Sequence, residues 1–267
     1  MLKQRVITAA VGVPLIILAV WFGDPWFSLL IVAATLAGTF EFYHMANLNK
    51  REPLIYFGLL WTLALVLSPH YNSTNTLPIV MTAAVVISLI WILCHSPREE
   101  ASRNWAWMVA GTLYIGWMLS YWLNLRILED GRNWVYLAMF TTFANDTGAF
   151  FIGRKWGKRK LASAISPDKT WEGAIGGLLS AIVAVIAISK ILILFSPLPF
   201  KYWQVFLIGF LISLFAQLGD LVESLLKRNM GVKESGKLLP GHGGILDRFD
   251  SLIFVGPMVY YYVVFAL

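Results

Sequence analysis

The sequence predicts an all-α, polytopic integral membrane protein. Three observations carry that prediction. Of the 267 residues, 58% are hydrophobic and 13% charged, with a mean hydropathy of +0.68, whereas soluble domains carry about 25% charged and about 45–50% apolar residues. The apolar residues gather in runs near the roughly 20 residues that a bilayer-crossing helix needs. Twelve Trp and ten Tyr suit the headgroup region, where amphipathic rings concentrate.

Taken in order, about nine spans are expected: 5–22, 27–43, 54–69, 77–94, 105–124, 134–152, 174–195, 202–219 and 252–267. The third and last are short for a spanning helix. The first has Lys3 and Arg5 ahead of an apolar run, like a signal peptide. Gly23-Asp24-Pro25 lacks a small-x-small cleavage pattern, so a retained helix is expected. Pro14 and Pro257 fall inside spans and are expected to kink them.

With the N-terminus in the cytoplasm, 17 of the 21 Lys and Arg fall in cytoplasmic segments and three (Arg126, Arg132, Lys201) on the other side. This positive-inside bias predicts N-terminus in, C-terminus out. It also brings the polar loops 153–173 and 220–251 to one face, where they can build one site at the cytoplasmic helix ends. The chain reads as a single polytopic domain over 1–267. The spans before residue 130 serve as scaffold, and 134–267 carries the catalytic loops 145–173 and 220–251. The net charge of +6 resides in short loops, so no nucleic-acid partner is expected. The single cysteine, Cys94, excludes an intrachain disulfide and, near the end of an apolar run, reads as a small hydrophobe rather than a reactive thiol.

Charge in a greasy chain marks function. Asp146 sits within the apolar run TTFANDTGAFF, where a carboxylate needs a cation, a metal or water. The basic run Arg154 to Lys160 reads as an anchor against anionic lipid, and Gly153 and Gly157 allow close backbone approach to a ligand. In Ser166-Pro167-Asp168-Lys169-Thr170-Trp171-Glu172-Gly173 a cation is flanked by hydroxyls just before a helix, which favours a phosphate. Ser166 or Thr170 as helix cap, with Glu172 in the first turn, is an equally available reading. Asp220, Glu223, Ser224 and Lys227 are spaced to share one helix face, as are Asp247 and Asp250. Carboxylates without a His/Cys cluster suit a hard cation, Mg²⁺ rather than Zn²⁺, and nearby cations suit a polyphosphate. His242, in a Gly-His-Gly-Gly turn, reads as a loop-shaping hydrogen-bonding residue with a base as the alternative. The residues alone thus describe a metal-dependent enzyme acting on phosphates at a membrane surface.

The stretch Ser224–Asp250 also resembles the motif of the phosphatidate cytidylyltransferase (CDP-diacylglycerol synthase) family. That motif runs S-x-x-K-R, four residues, K-D, a short spacer, then H-G-G-x-x-D-R-x-D. It is met by Ser224, Lys227, Arg228, Lys233, His242, Gly243, Gly244, Asp247, Arg248 and Asp250, with Glu234 where the family usually has Asp. Asn145-Asp146 and the Ser166–Gly173 element are similar to the family's too. The resemblance implies transfer of a cytidylyl group from CTP to phosphatidate, giving CDP-diacylglycerol and pyrophosphate for phospholipid biosynthesis at the bacterial inner membrane. Membrane lipid is then a partner, and a homodimer is left open. The resemblance further implies that Asp220, Asp247 and either Asp250 or Asp146 hold Mg²⁺, a second cation being left open. Lys169, Lys227 and Arg228 would neutralise phosphate charge, and Ser166 and Thr170 would help to place the nucleotide. Asp146, Glu172, Ser224, Lys233, His242 and Arg248 would complete the substrate contacts. The alternatives are a CTP-dependent transferase or kinase on another lipid, and an ion-coupled transporter using Asp146 and Asp220. A CDP-alcohol phosphotransferase ranks lower, because its D-G-x-x-A-R hallmark is absent.

Overall fold

A computed structural model describes residues 2–48, 53–71, 75–95, 98–192, 201–236, 238 and 243–267. The chain divides into two compact units: residues 1–123 with 234–247, and residues 124–233 with 248–267.

The helices are α1 (Leu2–Phe22), α2 (Trp26–Met45), α3 (Pro53–Val66), α4 (Thr76–His95), α5 (Arg98–Gly111), α6 (Met118–Ile127), α7 (Gly131–Trp156), α8 (Trp171–Leu192), α9 (Tyr202–Asn229) and α10 (Leu246–Ala266). Among the described residues, five helices, α2, α4, α8, α9 and α10, are long and apolar enough to cross a membrane. Their outward faces carry bare hydrocarbon: Leu93 is 83% exposed and Val183 64%. Surface of that kind is suited to lipid. The protein is therefore an all-α membrane protein, and among the described residues the expected spans fall on helix except at the end of the third and at the last residue of the ninth.

Several boundaries differ from the sequence reading. The third span stops at Val66, and a single 3₁₀ turn, Ser68–His70, follows. The fifth is one continuous rod in which a π-helical stretch, Thr112–Trp117, joins α5 to α6. That stretch lies against α2 and α3: the Tyr43 hydroxyl donates to the Met108 carbonyl at 3.0 Å and is 2.6 Å from Thr112 Oγ1. Phe42, Tyr43, Trp61, Met108 and Ile115 form the buried core of this unit. Helices α1 and α10 run through Pro14 and Pro257 without a break.

In the second unit α7, α8 and α9 pack against one another. Gly173, Gly176 and Gly177, on one face of α8, permit the approach, since a Cβ at Gly177 would lie 2.7 Å from Asn145 Oδ1. Small residues of this kind let helices approach closely in a bilayer. Between α7 and α8 the chain forms a hairpin not anticipated from sequence, β1 (Lys160–Ala162) and β2 (Ser166–Thr170). It is antiparallel, with Lys160 opposite Thr170 and Ala162 opposite Ser166.

Candidate active site

The second unit holds a cavity of about 560 Å³. One stripe of α7 supplies its first wall: Asp146, Ala149, Phe150, Gly153 and Arg154 follow the helical i, i+3, i+4, i+7, i+8 spacing. The hairpin adds Ser166, Asp168, Lys169 and Thr170, the start of α8 adds Gly173 and Ala174, and α9 adds Gln217 and Asp220 one turn apart.

The charges concentrate around three carboxylates. Lys169 Nζ forms an ion pair with Asp220 Oδ2, the two side chains being 25% and 35% exposed. The Ser224 hydroxyl donates to Asp220 Oδ1 at 3.4 Å. Asp146 faces the cavity, accepts from Asn145 Nδ2 at 3.0 Å and is hydrogen-bonded by the Ser251 hydroxyl. Asp250, near the start of α10, accepts the Ser251 N–H at 2.6 Å and lies within electrostatic reach of Asp146, Asp220 and Lys169. A Cβ at Gly219 would lie 2.6 Å from the Asp250 carbonyl oxygen, so the bare α9 backbone there lets Asp250 come this near. Three carboxylates around one ammonium leave an excess of negative charge, which suits an added cation. Among the described residues, no three Asp, Glu, His or Cys side chains converge tightly enough to enclose a metal ion unaided.

Behind Asp146 stands a buried polar hub. Asn145, fully enclosed, accepts from Ser213 Oγ at 2.7 Å and from Gln217 Nε2 at 3.3 Å while donating to Asp146. Gln217 also donates to the Ala174 carbonyl at 3.1 Å and to Ser213 Oγ at 2.9 Å. The sequence reading passed over Ser213 and Gln217. The helical register offers the one signal for Gln217, three residues before Asp220. Arg154, grouped there with the lipid anchor, instead lines the cavity and stands over the Phe150 ring at 5.9 Å.

Other expected site residues take local roles. Thr170 is the cap of α8: its Oγ1 accepts the Gly173 N–H at 3.1 Å. Glu172 accepts the backbone N–H groups of Lys158 and Arg159 at 3.0 and 3.1 Å, which fixes the turn before the hairpin. Gly153 and Gly157 serve this corner, since a Cβ at Gly157 would lie 2.6 Å from Thr170 Oγ1. Lys227 pairs with the buried Glu223 one turn back on α9, and Arg228 Nε donates to the Ile165 carbonyl at 3.3 Å. Neither lines the cavity. Lys233 and Arg248 are exposed, and His242 lies outside the described residues.

Asp247 belongs to the first unit. Its Oδ2 accepts the backbone N–H groups of Ser235 and Gly244 at 3.0 and 2.9 Å. Gly243 adopts φ +82°, and a Cβ there would lie 2.8 Å from Asp247 Oδ2. Only glycine meets both demands without strain.

This geometry can be set beside known proteins. A family model described as "Cytidylyltransferase family" matches residues 3–266. The chain belongs to that family. This member is 34% identical over 264 residues to the phosphatidate cytidylyltransferase of Bacillus subtilis (strain 168), covering 97% of each chain. It is 32% identical over 262 residues to the protein of that name from Staphylococcus haemolyticus (strain JCSC1435), again covering 97% of each. The protein of that name from Synechocystis sp. (strain ATCC 27184 / PCC 6803 / Kazusa) is also 32% identical, over 298 residues, covering 99% of this chain and 97% of its own.

Proposed function

We propose that this protein transfers the cytidylyl group of CTP to phosphatidate, forming CDP-diacylglycerol and pyrophosphate. A phosphate oxygen of phosphatidate attacks the α-phosphorus of CTP, and the bond to the leaving pyrophosphate breaks. The cavity walled by Asp146, Asp220 and Lys169 is the observation that carries the reading: it offers carboxylates and an ammonium to a triphosphate. Family membership over residues 3–266 narrows the nucleotide, and the names of the relatives narrow the acceptor.

Phosphoryl transfer asks mainly for positioning and charge stabilisation. The ionised phosphate of phosphatidate is already a nucleophile, so no general base is required. In this reading the Lys169–Asp220 pair holds the place of the substrates: a phosphate oxygen takes over Lys169, and Asp220 is released. Arg154 takes a second phosphate, Ser166 helps to seat the nucleotide, and Thr170 holds the hairpin against α8. Asp146, Asp220 and Asp250 would hold Mg²⁺, which would neutralise phosphate charge. The donor set fits with one or two of these carboxylates as direct ligands, because Mg²⁺ completes its shell with phosphates and water. Asp247 as a further ligand, and Lys227, Arg228, Glu172, Ser224, Lys233, His242 and Arg248 as substrate contacts, enter from the motif resemblance alone. The proposal includes nine spans in the inner membrane, with the N-terminus and active-site loops cytoplasmic and the C-terminus external. The positive-inside bias supports that topology.

The test is phosphatidate-dependent release of pyrophosphate from CTP by purified protein in detergent. It should stop on chelation and return with Mg²⁺. Release that ignores phosphatidate would sink the acceptor assignment, and release that survives chelation would sink the metal.

A further inference from the structure

One buried acid stands outside everything above. Glu41 interrupts the apolar run of α2 in TLAGTFEFYHM and is only 4% exposed. An acid in such a place is costly unless its oxygens are met by donors.

They are met by a single loop of the same unit, nearly 200 residues away in sequence. Glu41 Oε1 accepts the Ile245 N–H at 3.0 Å, and Oε2 accepts both the Leu246 N–H and the Ser235 hydroxyl at 3.0 Å. Ser235 Oγ in turn accepts the Asp247 N–H at 3.3 Å. These are the N–H groups at the start of α10, which no intrahelical acceptor can reach. Glu41 therefore caps α10 from another helix, directly for Ile245 and Leu246 and through Ser235 for Asp247. Negative charge at a helix start is favourable in itself. Packing confirms a built contact: a Cβ at Gly236 would lie 2.7 Å from Glu41 Cδ. Asp247 closes the arrangement by accepting the Ser235 and Gly244 N–H groups.

We propose that Glu41 is a positioning residue for the reaction, clamping the Ser235 and Gly244–Asp247 backbone so that the Asp247 carboxylate is held in one place. The catalytic consequence rests on the function proposed above, in which Asp247 serves the active site; the clamp does not. All three partners of Glu41 donate, so an acceptor-only carboxylate suits them. Glu41→Gln aims an NH₂ group at N–H donors.

The experiment uses the full-length protein in detergent with two readouts. The first is amide hydrogen exchange at Ser235 and Gly244–Asp247. The second is steady-state transfer from CTP to phosphatidate. Glu41→Gln should speed exchange at those amides about 10-fold or more, with α7–α9 unchanged, and lower kcat about 10–100-fold while KM for CTP stays within about 3-fold, the range for residues that orient a ligand. Ser235→Ala, which leaves the two backbone contacts of Glu41 intact, should show a smaller change of the same kind, and it carries the test if Glu41→Gln fails to fold. The double variant should lose less than the two single effects combined, because Glu41 reaches the Asp247 N–H only through Ser235 and contacts in one network are not additive. Unchanged exchange in the folded variants would overturn the clamp. Faster exchange with normal kcat would overturn the positioning role. An inactive wild-type protein with the expected exchange pattern would leave the clamp standing and overturn the assigned reaction.

Discussion

Replacing Asn145 with alanine removes the hub that orients Asp146. The loss can be worked bond by bond. The donation from Asn145 Nδ2 to the Asp146 carboxylate, at 3.0 Å, is of the charge-assisted kind that contributes about 1.5–3 kcal/mol. Asp146 faces the cavity, so solvent screening places it near the lower end. The Ser213 hydroxyl loses its 2.7 Å acceptor, a neutral bond of about 1 kcal/mol. Gln217 keeps the Ala174 carbonyl and Ser213 Oγ, so its 3.3 Å contact adds little. The total is about 2–3 kcal/mol, enough to lower Tm visibly in detergent. Activity should fall further than stability, because a carboxylate without its orienting partner typically costs about 10–100-fold. Thermal unfolding together with transfer from CTP to phosphatidate measures both. Gln217→Ala, which spares the Asn145–Asp146 bond, should lose less activity. Asn145→Ala with wild-type Tm and turnover within about 2-fold would refute the role given to the hub.

Gly219→Ala places a methyl group 2.6 Å from the Asp250 carbonyl oxygen. It should cost about 1–3 kcal/mol by overpacking, seen as a lower Tm, and turnover should drop as Asp250 is displaced. Thr170→Ala should cost about 1 kcal/mol through loss of the α8 cap while Thr170→Ser keeps it, as thermal unfolding of the pair would show. Arg154→Ala should raise KM for CTP several-fold, as expected when one phosphate-binding cation is lost, with folding intact by gel filtration. A reporter fused after Leu267 should read as external, and a cytoplasmic signal would mean that the spans number differently.

Much of this was legible in the sequence, for physical reasons that differ from element to element. The helices were readable because apolar runs of bilayer length leave few alternatives. The Asp220, Glu223, Ser224 and Lys227 face was readable because helical spacing survives in the letters. The same spacing allows the i, i+4 pair that Lys227 makes with Glu223 on its own helix, whereas the sequence reading gave Lys227 to a phosphate. Hairpin β1–β2 left no trace because strands of three and five residues are too short for an alternating pattern. Arg154 was hidden in a run of like charges, and its place on the α7 stripe emerges only once α7 is known to continue to Trp156. Glu41 interrupts an apolar run as Asp146 does, but what it serves was not readable, because its donors lie in a loop nearly 200 residues away. Local periodicity carries no information about such a contact.

The measurement closest to the central claim follows two labels on CTP, one on the α-phosphorus and one on the γ-phosphorus, in a reaction with phosphatidate, Mg²⁺ and purified protein. Cytidylyl transfer predicts that the α-label enters the lipid and the γ-label leaves in pyrophosphate, one for one. A γ-label in the lipid, or lipid without the α-label, would contradict it.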